Sequence, residues 1–133
     1  FILKEGGKDM SNDLLEMDYE YDSQADALFI EKKSEYEHNQ SIEIDTGIIM
    51  DFDEKNNPAA LEILDASKIL NTSKFNLIRD LQGVFTIKIT EKTISLEAKF
   101  KVKVHNKEQN RPLNPKTINE FNIPESEVEL AIT

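Results

Sequence analysis

The chain has 133 residues, a net charge of −10, 38% hydrophobic residues and no cysteine. The lack of cysteine excludes disulfides, thiolate catalysis and cysteine-held zinc. No apolar run approaches the ~20 residues that a membrane-spanning helix needs, and only four glycines are present, too few for a glycine-rich phosphate loop.

Residues 1–16 carry little pattern and read as a tail or an expression remnant, with Met10 a plausible start. From residue 17 the pattern sharpens. Met17, Tyr19 and Tyr21 alternate with Asp18, Glu20 and Asp22, which predicts a strand with one apolar and one acidic face. Asp22-Ser23-Gln24 marks a turn. Ala27–Ile30 is apolar on both faces and predicts a central strand. The polar run Lys32–Gln40, with Tyr36 and His38, is expected to be a solvated loop. Ile42 and Ile44 alternate with Glu43 and Asp45, and Gly47 allows a tight connection into a strand over Ile48–Phe52. Residues 53–58 break that strand, Ala60–Leu64 resumes it, and Asp65 is placed to cap a helix over Ala66–Leu70. Local pairing then makes an antiparallel meander the simplest topology.

Tyr21-Asp22, Asp26-Ala27-Leu28-Phe29-Ile30, Gly47-Ile48-Ile49, Asp51-Phe52-Asp53 and Glu62-Ile63-Leu64-Asp65-Ala66-Ser67 stand in a fixed order. In that order they resemble the small acidic proteins grouped as domain of unknown function 2283. The resemblance covers the N-terminal half only. It implies no established activity; some members resemble antitoxin-like partners of small toxin-like proteins. Asn56-Asn57-Pro58 stands where that family usually has glycine, and the chain runs well past the family's usual end.

In the second half, Phe75, Ile78 and Leu81 recur at helical spacing with Gly83 at the position of a C-terminal cap, predicting a helix over Lys74–Gln82. Phe85, Ile87 and Ile89 alternate, and strict alternation returns from Ile94 to Val104, which predicts a long hairpin. A strand that long is expected to project or to pair with a second subunit. Lys107–Lys116 reads as a loop, Asn114 and Pro115 as the start of a short helix toward Glu120, and Val128–Ile132 as a terminal strand. The expected fold class is α+β: an antiparallel β-meander with a short helix, then a long β-hairpin, a short helix and a terminal strand. Residues 17–71 and 72–133 are expected to form one compact unit.

Charge is uneven. Residues 1–65 hold 18 acids against 5 lysines, whereas residues 66–133 hold 8 acids against 11 bases. An acidic half repels phosphate backbones and attracts basic surfaces. The stripe of Lys88, Lys99, Lys101 and Lys103 lacks the arginines and aromatics of a nucleic-acid face, so neither nucleic acid nor membrane is an expected partner. Asp51, Asp53 and Glu62 imitate part of a calcium loop, but Lys55 and Asn56 occupy positions that such a loop needs for a ligand and a glycine. His38 and His105 are too far apart in sequence to suggest a metal pair, and no metal or cofactor is expected.

Three readings follow. The first is a non-enzymatic, cytoplasmic interaction module docking a basic protein through Asp18, Glu20, Glu43 and Asp45. The second is a structural homo-oligomer joining the acidic half of one copy to the lysine hairpin of another. The third is a carboxylate-based, metal-dependent enzyme built on a pocket of Asp26, Asp51 and Asp65.

Overall fold

A computed structural model describes residues 14–132. In chain order they form β1 (Leu15–Asp22), β2 (Ala27–Lys32), β3 (His38–Asp45), β4 (Ile48–Asp53), β5 (Pro58–Leu64), α1 (Ala66–Ile69), α2 (Lys74–Ile78), β6 (Gln82–Ile89), β7 (Thr93–Val104), β8 (Lys107–Leu113), β9 (Lys116–Ile118) and β10 (Ser126–Ile132). Strands take 61% of the described residues and helix 8%. The protein is therefore mostly β, and the expected α+β class is overturned. The two helices have four and five residues, too short to form a layer of their own. The tail expected over residues 1–16 falls outside the described residues as far as 13; Leu15 and Glu16 already belong to β1.

The strands build one curled, mixed sheet in the order β3-β4-β5-β2-β1-β10-β6-β7-β8, with β9 also pairing with β7. β9 comes back against β3, so the sheet bends round a single core. The first half is not a meander, because β5 inserts between β4 and β2. Burial explains this order. Leu28 and Ile30 are fully buried and need apolar neighbours on both sides; the register sets Leu28 opposite Ile63 and Ile30 opposite Leu61. The polar β3 goes to the edge, where two irregularities in its pairing with β4 make it a poor template for further strands.

The halves join through β1 and β10, which run parallel with Leu15 opposite Leu130 and Glu16 opposite Ala131. The inner face carries one continuous apolar cluster, from Ile42, Met50 and Phe52 through Leu28 and Met17 to Phe85, Leu96 and Phe100. Phe85 and Phe100 meet edge to face at 5.1 Å between ring centres. Leu70 and Leu77 close the cluster from the two helical turns.

The second half corrects several expectations. The helix begins at Lys74, where Ser73 Oγ accepts a hydrogen bond from the Asn76 amide at 3.2 Å, but it ends at Ile78. Asp80 takes a left-handed φ of 56° and the chain leaves the helix for β6. Gly83 is thus a strand residue, not a cap. An added Cβ there would lie 2.9 Å from the Phe85 ring, so the glycine is needed for close packing. The long strand β7 does not project. It pairs with β6 along one edge and with β8 and β9 along the other. The predicted loop at Lys107–Lys116 is mostly β8, turned back on β7 by His105 and Asn106, both at positive φ. The helix expected after Asn114 is instead β9. No described helix is long and apolar enough to cross a membrane.

Candidate functional site

Strand register decides which side chains share the outer face of the first half. Asp18 lies opposite Glu31, Glu31 opposite Ala60, Ala60 opposite Asp51, and Asp51 opposite Ser41. The next row runs from Glu20 through Phe29, Glu62 and Ile49 to Glu43. Paired residues project to the same side. Six carboxyl groups therefore stand on one face, with Phe29 and Ile49 half-buried among them.

Of the four residues expected to bind a partner, Asp18, Glu20 and Glu43 lie exposed on this face. Asp45 is exposed too, but it stands past a register shift at the β3–β4 turn. Two of the four also shape that turn: Glu43 Oε2 accepts from the Gly47 amide at 3.0 Å, and Asp45 Oδ1 accepts from the Thr46 amide at 2.8 Å. Lys33 bridges Glu16 at 3.2 Å and Asp18 at 3.8 Å, both in the open. Exposed bridges of this kind contribute at most about 1 kcal/mol.

The centre of the face is more tightly built. The Asp51 side chain is 6% exposed. Its Oδ1 accepts from Ser41 Oγ at 2.5 Å, and the Ser41 oxygen lies 2.8 Å from His38 Nε2. Because Ser41 gives its only proton to Asp51, the histidine nitrogen must be the donor to serine. Glu62 stands diagonally across the β4–β5 pairing from Asp51, two residues beyond Ala60. Hydrogen bonding toward Asp51, then burial, then the negative charge of Asp51 push the Glu62 carboxyl up to about 7. Close by, Tyr36 donates to Glu31 Oε1 at 3.0 Å; burial and the surrounding carboxylates push its hydroxyl up to about 12.

The other buried acids are structural. Asp26 sits at a positive φ of 54° between β1 and β2. It accepts from the Tyr21 hydroxyl at 2.6 Å, the Ser67 amide at 3.0 Å and Ser67 Oγ at 2.7 Å, tying the β1–β2 turn to α1. Burial alone would raise its carboxyl, but these hydrogen bonds outweigh it and hold Asp26 below the ordinary range. Asp53 Oδ1 gathers the amides of Lys55 and Asn57, each at 2.9 Å, while Oδ2 takes Lys32 Nζ at 3.0 Å. Burial again opposes and the donors win, so Asp53 is also lowered. Asp65 does not cap α1 with its side chain; it enters the helix in the left-handed region.

The suggested pocket of Asp26, Asp51 and Asp65 is not assembled. On β5, the neighbour of Asp51 is Ala60, whereas Ala27, which follows Asp26, faces Leu64. Four strand residues separate these points, roughly 13 Å. Among the described residues no three His, Asp or Glu side chains are grouped to hold a metal. Sequence reasoning named Asp51 and Glu62 together only as an imperfect calcium loop and missed Glu31. The β4–β5 hairpin brings the first two close, whereas the pairing of β5 with β2 was needed to add Glu31.

Residues 18–67 match the family "Protein of unknown function (DUF2283)". A Methanosarcina mazei protein named "Putative hypoxanthine phosphoribosyltransferase" is 33% identical over 115 residues, covering 86% of this chain and 92% of its own length. "Uncharacterized protein MJ0789" of Methanocaldococcus jannaschii is 30% identical over 115 residues, covering 86% of this chain and 96% of its own. No solved structure matches the chain.

Proposed function

The chain belongs to the DUF2283 family of proteins of unknown function, and from that premise we propose that it is a docking module whose outer β1–β5 face receives a basic protein segment. One observation carries this reading: the face sets like charges against each other. Asp18 stands directly opposite Glu31, and Asp51 and Glu62 are diagonal neighbours across the β4–β5 pairing. Directly opposed like charges destabilise a sheet by a few tenths of a kcal/mol or more. A cationic partner would relieve that repulsion, speed association and fix orientation.

Phosphoribosyl transfer, the chemistry in the name of the M. mazei relative, fits the described residues poorly. It needs a cradle for several phosphates, normally backbone amides at a glycine turn or a helix N-terminus. Here the helices have four and five residues, and the most developed polar cluster is acidic. A phosphorylated substrate would be repelled there.

The test is titration of a lysine-rich peptide by calorimetry at low and high salt. Binding should weaken about tenfold or more between ~50 and ~300 mM salt, and should be lost in the combined D18N, E20Q and E43Q variant. Binding that ignores both salt and these substitutions would contradict the proposal.

A further inference from the structure

We infer that the slot left in the sheet beyond Ile132 of β10, between β1 and the start of β6, receives an extended peptide strand from a partner. The site lies on the seam between the two halves and does not depend on the docking reading above.

Strand lengths make the slot. β10 lies between β1 and β6 and pairs with both, as far as Glu16 on β1 and Gly83 on β6. β1 runs on to Asp22. β7 runs on to Val104, although its pairing with β6 stops at Lys101 and Gln82. A cavity of about 450 Å³ opens there to solvent, with Met17, Asp18 and Tyr19 on one side and Leu81, Gln82 and Lys101 on the other. Because β10 sits between β1 and β6, those two strands stand two strand spacings apart, about 9.5 Å. That width admits one further strand in line with β10.

The main chain points the same way. The Lys33 amide donates to the Glu16 carbonyl at 3.4 Å, so Glu16 turns its main-chain groups toward β2. In an antiparallel pair alternate residues do so, and Asp18 and Glu20 follow. Tyr19 and Tyr21 therefore turn their N–H and C=O groups to the opposite side, where no described strand pairs with them. An added strand satisfies main-chain groups of this kind. The outer edges of the sheet are blunted instead. Pro112 removes a donor from β8, and β3 has two irregularities in its pairing and β9 close by.

The lining sets the character of the guest. Tyr19, Leu81, Val102 and Ile132 form the floor, held by the Leu81 amide donating to the Tyr19 hydroxyl at 3.3 Å. Charges around the mouth balance: Asp18, Asp80 and Glu108 stand against Lys33, Lys101 and Lys103. An extended segment with apolar residues inward and neutral polar residues outward suits both. With the charges balanced, main-chain hydrogen bonds carry the recognition.

The test uses the full chain and a capped, uncharged pentapeptide of alternating valine and threonine at millimolar concentration, followed by NMR. In the free protein the Tyr21 amide should exchange with solvent quickly, while the amides of Asp18 and Glu20, turned toward β2, exchange slowly. The peptide should slow Tyr21 exchange severalfold and shift the amides of Tyr19, Gln82 and Lys101–Lys103, equally at ~50 and ~300 mM salt. The same peptide with its amides N-methylated should do neither. Slow exchange of Tyr21 in the free protein would show that edge already paired and overturn the proposal. Absence of shifts at the slot would overturn it, as would shifts that persist with the N-methylated peptide. Binding lost on raising the salt would show recognition by charge and overturn it too. The peptide carries no charge, so this site and the acidic docking face stand or fall separately.

Discussion

The outer face of β1–β5 and the outer face of β6, β7, β8 and β10 follow opposite charge rules. In the second half, register sets opposite charges together: Glu127 faces Lys88 and Lys103 faces Glu108. Elsewhere lysine is set against neutral partners, as in Lys99 with Val84 and Lys101 with Gln82. This is how a sheet stays soluble while its surface pairs stabilise it slightly. In the first half Asp18 faces Glu31, and Asp51 and Glu62 crowd diagonally across the β4–β5 pairing, which pushes the Glu62 carboxyl up. The same sheet, with the same continuous core, therefore treats its two surfaces differently. The difference cannot be a requirement of the fold, since the second half meets that requirement without setting like charges directly opposite each other, its lysine stripe facing acidic or neutral partners.

Substitutions in the shared core should erase the distinction. Phe52→Ala in the first half and Phe100→Ala in the second each remove a fully buried ring. Each should cost about 3–5 kcal/mol in denaturant unfolding, with both halves lost in one transition. Separate transitions would show that the halves are energetically independent.

Asp26→Ala comes next, because it removes the acceptor for Tyr21 and for both donors of Ser67. A loss of about 2–3 kcal/mol is expected by the same measurement. Asp26 is lowered in the folded state, so its contribution is present above the ordinary aspartate range and is lost as pH falls through the folded value. The variant should therefore lose the part of the wild-type acid sensitivity that lies at the lowest pH.

Smaller effects separate the surfaces themselves. The Glu62 carboxyl is raised from 4.5 to about 7, so the stability it brings is complete below pH 4.5 and disappears as pH climbs through 7. Glu62→Gln should accordingly melt a few degrees above wild type at pH 8, and the gap should close at pH 5. Asp18→Asn, which removes one member of the Asp18–Glu31 like-charge pair, should stabilise by a few tenths of a kcal/mol while weakening peptide binding. Lys88→Glu should destabilise the other surface by a similar amount and leave peptide binding as it was.

Much of the strand content was legible in the sequence. The alternation of Met17, Tyr19 and Tyr21, and that of Ile94 to Val104, reflects one buried and one wet face, and both segments are strands. The resemblance of the N-terminal half to the family was carried by local motifs and holds. The sheet order was not legible. A meander would set β3 beside β2, and only the full burial of Leu28 and Ile30 beside Ile63 and Leu61 selects β5 as the partner of β2. β8 left no trace because Lys107–Leu113 is an edge strand with polar residues on both faces and Pro112 within it. The helix over Lys74–Gln82 was overextended because Leu81, at helical spacing from Phe75 and Ile78, is buried from the chain leading into β6. At the candidate site, Asp18, Glu20 and Glu43 could be placed on one face by alternation alone. Asp51 and Glu62 come close through the local β4–β5 hairpin, but Glu31 could not be placed beside them, because its position depends on that sheet order.

The most direct test is a peptide titration followed residue by residue. A lysine-rich peptide added to isotope-labelled protein at low salt should shift amides around Asp18, Glu20, Glu31, Glu43 and Glu62, and leave those of β6–β8 in place. Shifts centred on β6–β8, or none anywhere, would contradict the claim that the crowded acidic surface is the docking face.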